Sequence, residues 1–218
     1  MSKLNGLLLT EGMPGMVSQV EGLAKALNLD FIHEKIELKN FWKFLPPKIT
    51  PAKSFVFKNK LEEYFNIVIS CGRKSIIPSI YLKKKHKNKI INIHIQDPKV
   101  SLKNFDFVVV PEHDGLTGKN VLTTKGAIHY LTKDELVLSQ NYLKSKIDSK
   151  KKIVSFIIGG PNKYYSYDDN VVDNIFLNIK KNFIQNNYQA IIIPSIRTPE
   201  KVIEKAKNYF DNNQIIIP

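Results

Sequence analysis

The feature that most constrains this chain is an alternation of short apolar runs and helical patterns, which starts again near residue 150. Residues 4–10, 66–70 and 152–158 have the length of buried strands, and helical periodicity follows each of them. Such alternation is typical of parallel sheets with right-handed crossovers. We therefore predict an α/β fold of two Rossmann-like lobes, residues 1–148 and 149–218.

The second lobe is predicted to be smaller than the first. It has only three strand patterns, at 152–158, 189–194 and 214–217, with two helical patterns between them. A three-stranded parallel sheet buried on both faces is marginal by itself. We therefore expect the second lobe to be incomplete and the chain to be a fragment; a natural protein ending on an edge strand is the alternative.

Two features of the first lobe interrupt the alternation. Residues 40–57 carry one tryptophan and three prolines, which predicts an irregular excursion rather than a regular element. A short helix is predicted over residues 58–65 immediately after it. Nothing in the sequence marks a docking helix, a membrane anchor or a large exposed apolar patch.

The composition favours a cytoplasmic protein. A single cysteine, Cys71, excludes an internal disulfide framework, and the chain has neither an apolar run of membrane-spanning length nor a signal peptide. The net charge of +13 indicates either an anionic partner or compositional drift towards lysine. The lysines are scattered and no RNA-binding motif or zinc finger accompanies them, so no nucleic-acid partner is predicted.

Arginine is rare, and both arginines lie where a strand gives way to a helix. The basic residues number 33, and only Arg73 and Arg197 are arginine. A guanidinium offers two parallel donors to a phosphate or carboxylate, which lysine cannot. Ligands of open α/β sheets bind at the carboxyl ends of strands. Both arginines are therefore candidate anion-binding residues, with a structural cap as the alternative.

Six loops at predicted strand ends carry candidate site residues. Glycine and basic or hydroxyl groups at a strand–helix junction suit an anion, and carboxylates beside an imidazole suit proton transfer. The candidates for substrate or anion binding in the first lobe are Gly72, Arg73, Lys74, Ser75, Gln96, Asp97 and His129. Those in the second lobe are Gly159, Gly160, Asn162, Ser195, Arg197 and Thr198. The candidate catalytic residues are Glu112, His113 and Asp114.

Each of these loops also has a plain structural interpretation. The glycine loops would then be tight turns, Thr198 an N-cap with Pro199 in the first helical turn, and His129 a packed histidine. The acidic residues around His113 resemble half a metal site, but no second cluster completes one, so no metal is predicted. The motifs of P-loop and dinucleotide-binding proteins are absent, as are those of serine hydrolases and HExxH zinc proteases.

Six strings in order, ISCGRKS, IQDPK, FDFVVVPEHD, GAIH, IIGGPN and PSIRT, span residues 69–198. Together they resemble the mitochondrial-fission ELM-type family, which is similar to GT-B glycosyltransferases. The resemblance implies two lobes facing a cleft, a nucleotide-sugar donor held mainly by the second lobe, and a sugar or lipid-linked acceptor. It also implies catalysis without a metal or another cofactor. Family members are expected to continue past the position of Pro218, into a Ser- and acid-bearing segment of the donor site.

The resemblance leaves two functions open. In the first, the donor phosphates are held by Gly159, Gly160, Ser195 and Arg197. The acceptor is served by Arg73, Glu112, His113 and Asp114, with His113 or Asp114 as the base. In the second, the chain is a non-enzymatic adaptor that recruits a protein partner to a membrane, as plant members of the family do. Peripheral membrane association would accompany either function, without a transmembrane segment.

Overall fold

The computed structural model of the protein describes residues 4–61 and 64–217. The chain divides into two compact units, Met1–Thr132 and Lys133–Pro218. The sequence-based boundary lies later, near residue 148, and would assign the helix Lys133–Lys144 to the first lobe. The residues after this helix bind the second sheet instead, because the Asp148 amide donates to the Gln189 side chain, 2.9 Å away.

The first unit contains one six-stranded sheet in which every paired strand is parallel. The strand order is β2-β1-β3-β4-β5-β6. The strands are β1 (Asn5–Thr10), β2 (Asp30–Lys35), β3 (Ile67–Cys71), β4 (Ile91–Ile95), β5 (Phe107–Pro111) and β6 (Val121–Thr124). The order reverses direction between β1 and β3, and such a switch point opens a crevice at the carboxyl ends of the strands.

Two helices cover opposite faces of this sheet, which explains why its central strands are apolar throughout. Helix α1 (Pro14–Ala26) packs Val20 and Ala24 in the same cluster as Leu8 of β1. Helix α2 (Ile76–His86) contributes to the opposite cluster, which contains Leu7 and Leu9. A strand buried on both faces has no polar side and reads as a continuous apolar run.

Buried polar side chains also cross the middle of the first sheet. The Ser70 hydroxyl lies 2.8 Å from Nδ1 of His94 and donates to the Ser79 hydroxyl at 3.1 Å, and Ser79 donates to Asn92 at 2.6 Å. All four residues are buried. Burial lowers the pKa of His94 to about 3, partly opposed by the nearby carboxylate of Asp97. This imidazole is therefore neutral at physiological pH and serves as part of the core.

The second unit repeats the architecture with fewer strands. Its parallel sheet has the order β7-β8-β9 and is packed by the two helices α4 and α5. The elements of this unit are α3 (Lys133–Lys144), β7 (Lys152–Ile158), α4 (Asp169–Asn182), β8 (Tyr188–Pro194), α5 (Glu200–Tyr209) and β9 (Ile215–Ile216). Two Rossmann-like α/β units with parallel sheets confirm the predicted fold class.

The excursion between β2 and β3 is irregular, as predicted. It contains three 3₁₀ turns, Asn40–Lys43, Pro47–Ile49 and Ser54–Val56. The helix predicted over residues 58–65 is wrong for residues 58–61 and 64–65; residues 62–63 lie outside the described part. The backbone of Lys58 donates to Glu37, and Asn59 binds Lys35 O and the Glu37 amide, so these partners replace helical hydrogen bonds.

Candidate functional site

An open cleft of about 420 Å³ lies at the carboxyl ends of three neighbouring strands of the first unit. Because parallel strands end at one edge of the sheet, the loops after β4, β5 and β6 meet there. The residues that line it are Gln19, Gln96, Asp97, Lys99, Pro111, His113, Asp114 and Ala127. The cleft thus brings together the predicted residues Gln96, Asp97, His113 and Asp114.

Among the residues that line the cleft, His113 and Asp114 are the pair that could transfer a proton through an imidazole. They lie in a 3₁₀ turn directly after β5, and Nε2 of His113 is 3.6 Å from Oδ1 of Asp114. The imidazole is three-quarters exposed, whereas Asp114 is one-third exposed. Glu112 is exposed in the same turn but does not line the cleft. The pair is therefore accessible to a ligand from solvent, with the carboxylate close to the ring.

The loop after β4 holds a second carboxylate rigidly in the cleft. Asp97 accepts hydrogen bonds from the backbone amide of Lys99 at 2.9 Å and from the Lys99 ammonium. Its partial burial would raise the pKa of the carboxyl, but these bonds and the charge of Lys99 lower it below the usual value. Gln96 adopts a positive φ of 84°, a strained conformation for a residue with a side chain. Strain of this kind clusters at functional sites.

The loop after β3, predicted to be an anion cradle, contacts a carboxylate of the protein itself. Glu11, in the loop after β1, accepts from the Lys74 amide at 3.0 Å and pairs with the Lys74 ammonium at 2.9 Å. Gly72 has a φ of +91°, and a side chain there would collide with Met16 and crowd Glu11. The hydroxyl of Ser75 is buried and donates to Gly72 O at 2.7 Å.

Arg73 is committed to the protein backbone. Its guanidinium donates to the carbonyl of Leu45 at 2.8 Å and to that of Phe44 at 3.4 Å. It therefore ties the excursion between β2 and β3 to the end of β3. The anion-binding role proposed for this arginine stays a prediction, since an external anion would compete with those carbonyls.

His129 lies apart from these groups. Its side chain is exposed and does not line the cleft, although Ala127 from the same segment does. The backbone of His129 instead lies against helix α1 at Gly22, where an added Cβ would come within 2.5 Å of the His129 carbonyl group. The position of His129 is therefore set by its main chain.

The second unit brings together the glycine loop after β7 and the hydroxyl–arginine loop after β8. The Thr198 hydroxyl donates to Ile158 O at 2.7 Å and accepts from the Ser195 amide at 2.8 Å. The two hydroxyls lie 3.1 Å apart, and the Arg197 amide donates to the Ser195 hydroxyl at 3.2 Å. A Cβ on Gly160 would approach the Arg197 Cβ to 2.2 Å. These loops are therefore held in one geometry.

The remaining candidates of the second unit have distinct roles in this arrangement. Thr198 does not cap helix α5, which has Pro199 at its N-cap position; the hydroxyl of Thr198 is engaged with β7 and with Ser195 instead. The Arg197 side chain is exposed, and its guanidinium has no partner in the described ranges 4–61 and 64–217. Asn162 stabilises its own turn by accepting from the amides of Tyr164 and Tyr165.

Cys71 and the acidic and histidine side chains set limits on the chemistry. Burial raises the pKa of the Cys71 thiol to about 12, with a further contribution from Glu11, so it is not a thiolate nucleophile at neutral pH. Within the described ranges, no three His, Cys, Asp or Glu side chains are grouped to hold a metal ion. Among the helices in residues 4–61 and 64–217, none is long and apolar enough to cross a bilayer.

Sequence reasoning missed three residues that shape these sites: Glu11, Gln19 and Lys99. Lys99 is two residues from Asp97, a spacing from which a local ion pair could have been anticipated. Gln19 lies on α1 and reaches the cleft only because α1 packs against the sheet. Glu11 is 63 residues from Lys74 in sequence, and only the pairing of β1 with β3 brings them together.

These observations define a class of protein, an α/β protein with parallel Rossmann-like sheets and polar loops at the carboxyl ends of their strands. The family model described as Mitochondrial fission ELM1 matches residues 14–217. The chain therefore belongs to the Mitochondrial fission ELM1 family. The resemblance inferred from six short strings is confirmed at this level.

The chain is also similar to the uncharacterized protein RP120 of Rickettsia prowazekii (strain Madrid E). The two are 28% identical over 177 aligned residues, covering 66% of this chain and 49% of the Rickettsia protein. The chain thus spans about half the length of the curated relative it matches.

Proposed function

We propose that the protein binds a nucleotide-sugar and acts as a GT-B-like glycosyltransferase that needs no metal. The observation that carries this proposal is the free guanidinium of Arg197 on a loop fixed by Ser195, Thr198 and Gly160. A loop whose backbone is already fixed and that presents an exposed planar donor is suited to a diphosphate, because only the arginine side chain must be ordered on binding.

The helix that follows this loop supports the same assignment. Helix α5 begins at Glu200, so its unpaired amides and the positive end of its dipole lie immediately after Arg197. Preorganised cationic and amide donors can stabilise a leaving diphosphate in place of a metal ion. The proposed donor ligands are Gly159, Gly160, Ser195, Arg197 and Thr198.

The cleft of the first unit is proposed to bind the acceptor. In the reaction, the acceptor hydroxyl attacks the anomeric carbon, the bond from that carbon to the diphosphate breaks, and the hydroxyl proton passes to a base. The His113–Asp114 pair can take up this proton, because the imidazole is accessible and a carboxylate lies 3.6 Å from its Nε2. Asp97 and Gln96 are proposed to bind acceptor hydroxyl groups.

The donor assignment is tested by measuring the thermal unfolding midpoint with UDP-, GDP-, ADP- and CMP-sugars. One nucleotide class should raise the midpoint of the wild-type chain and not that of Arg197→Ala. Arg197→Lys should lose most of the shift, since an ammonium cannot donate two parallel hydrogen bonds. Lys207→Ala, which removes an exposed charge from α5, is the matched control and should keep the shift.

No shift with any nucleotide-sugar in a folded sample would overturn this proposal. The adaptor function would then become the better hypothesis, and a protein partner the object of the search. A shift that survives Arg197→Ala would keep nucleotide binding but remove it from this loop.

A further inference from the structure

The excursion between β2 and β3 exposes an unusual amount of apolar side chain. We call residues 39–57 the aromatic loop. The exposed fractions of its large apolar residues are 66% for Phe41, 83% for Phe44, 64% for Ile49 and 51% for Phe55. Single exposed apolar residues are ordinary, but several in one short segment mark an interaction surface.

The aromatic loop is held firmly, so its exposed side chains cannot retreat into the core. Its ends are joined by the Leu38–Phe57 bridge and by a 3.0 Å hydrogen bond from the Lys39 amide to Val56 O. Arg73 binds the Leu45 carbonyl across the middle of the loop. Trp42 packs on the core while its ring contacts Phe41 and Phe55, at centroid distances of 5.1 and 5.7 Å.

The charge on the loop has a single sign. Lys39, Lys43, Lys48 and Lys53 are exposed, and no Asp or Glu occurs in residues 38–61. Among the described residues, none of these four ammonium groups is paired with a carboxylate; Lys43 contacts only the Asn40 amide oxygen, at 3.3 Å. The loop therefore combines aromatic side chains with a net positive charge.

A lipid bilayer with anionic headgroups matches this combination better than a folded partner does. The side chains of Phe44 and Ile49 project from the surface, and a bilayer accepts projecting apolar groups without a complementary pocket. Aromatic rings favour the membrane interface, and lysines beside it are attracted to anionic headgroups. The absence of carboxylates removes the repulsion that such a surface would otherwise meet.

We propose that the aromatic loop, residues 39–57, is a docking surface for anionic lipid bilayers. Phe41, Phe44, Ile49 and Phe55 enter the headgroup region, and the four lysines bind lipid phosphates. Arg73 is a positioning residue, since it fixes the loop without contacting lipid. The proposal does not depend on nucleotide-sugar binding.

The test is flotation of the purified chain with vesicles of phosphatidylcholine, with or without phosphatidylglycerol. The wild-type chain should float only with the anionic vesicles, and added salt should weaken binding. Phe44→Ser should reduce the affinity about tenfold, the value expected for one buried aromatic ring. Ile157→Ser, at a similarly exposed apolar residue of β7 (80%, against 83% for Phe44), is the matched control and should bind like wild type.

A second pair of variants separates the loop from the net charge. Lys43→Gln with Lys48→Gln should lower the affinity at least about tenfold, whereas Lys103→Gln with Lys119→Gln should change it little. Trp42, the single tryptophan, gives an independent readout, because its emission should shift to shorter wavelength on docking. Unchanged thermal unfolding midpoints would show that every variant is folded.

Several outcomes would overturn the proposal. These are no flotation with either vesicle, equal losses in the loop and control lysine variants, or an affinity indifferent to Phe44→Ser. Tight binding to an RNA oligomer without vesicle binding would assign the surface to nucleic acid instead.

Discussion

Glycine, arginine and hydroxyl residues occur at strand ends in both units, at residues 72–75 in the first and at 159–160 and 195–198 in the second. The two units differ in what their basic side chains contact. Arg73 donates to backbone carbonyls and Lys74 is paired with Glu11. Arg197 has neither kind of partner among residues 4–61 and 64–217. Glycine, arginine and a hydroxyl at a strand end therefore produce a closed structural junction in one unit and, in the other, a loop whose guanidinium has no partner among the described residues.

The difference arises from what the neighbouring strand contributes. In the first unit, the loop after β1 supplies a carboxylate to the amide and the ammonium of Lys74. In the second, the chain at the end of β7 supplies the carbonyls of Ile158 and Gly159, which accept hydrogen bonds from the Thr198 hydroxyl, and Gly160, which leaves room for Arg197. None of these groups carries a charge that could neutralise Arg197. The presence of a cationic loop thus does not define an anion site until the adjacent loop is known.

The largest effect on stability is expected from a side chain added at Gly160, where the loops after β7 and β8 meet. Gly160→Ala places a Cβ against the backbone and Cβ of Arg197 and should lower the free energy of unfolding of the second unit by about 3 kcal/mol. Gly159→Ala meets nothing within 4 Å and should change it by less than about 0.5 kcal/mol. Hydrogen exchange of peptides from β7 and β8 measures the difference. Equal effects of the two variants would contradict the close packing of these loops.

Acid should destabilise the first unit more than the second, because all five histidines lie in the first unit. The pKa of His94 in the folded protein is about 3, below its value in the unfolded chain. As the pH is lowered, the unfolded chain therefore binds a proton that the folded protein does not, and the free energy of unfolding decreases. Between pH 6 and pH 4 the loss from this group should be about 2.5 kcal/mol. The emission of Trp42, which lies in the first unit, can monitor the unfolding of that unit across this pH range.

The control for the acid experiment is His94→Gln, which cannot titrate. Its first unit should be less stable at neutral pH, because the packed ring is lost, yet should lose about 2.5 kcal/mol less than wild type over the same pH interval. A parallel pH dependence in both proteins would show that His94 is not the group responsible.

Removing the carboxylate of Glu11 should leave Lys74 without its charge partner, so that the loop after β3 resembles the loop that carries Arg197. Glu11→Gln removes the charge partner of Lys74 and should destabilise the first unit by about 1 kcal/mol, a modest value because the Lys74 side chain is partly exposed. In Glu11→Ala the amide of Lys74 is free, so inorganic phosphate should raise the thermal midpoint more than in wild type. An identical phosphate response in the two proteins would contradict the view that Glu11 fills an anion cradle.

The smallest effects are expected from arginine-to-lysine changes, and they should be opposite in kind. Arg73→Lys weakens the contacts to Leu45 and Phe44 and should cost about 0.5–1 kcal/mol. Arg197→Lys should leave stability within about 0.5 kcal/mol and reduce only the proposed ligand binding, since the side chain has no partner among residues 4–61 and 64–217. Urea unfolding of both variants, read through Trp42 and far-UV dichroism, provides the comparison.

Much of the fold could be predicted because local pattern and tertiary environment agree. The apolar runs of β1 and β3 are continuous since both faces of the sheet are covered. In α4, Val172, Phe176 and Ile179 recur at helical spacing because they contact one core. The helix predicted over residues 58–65 failed where long-range hydrogen bonds from Asn59 to the chain after β2 took precedence over local periodicity.

The candidate sites were predictable only as sets of residues at strand ends. Parallel topology guarantees that Asp97, His113 and Asp114 approach one edge of the sheet, which is why they share a cleft. The sequence gives no signal that Glu11 will occupy the cradle of Lys74, or that Phe44 and Ile49 will stay exposed on a fixed loop.

The sequence by itself therefore determined the α/β class, the two repeats and the strand-end loops that hold the candidate residues, because these depend on periodicity and on residue types next to one another. Only the tertiary structure decided which cation is neutralised and which is free. That outcome depends on groups such as Glu11 and Lys74, which are distant along the chain and are joined by the order of the strands.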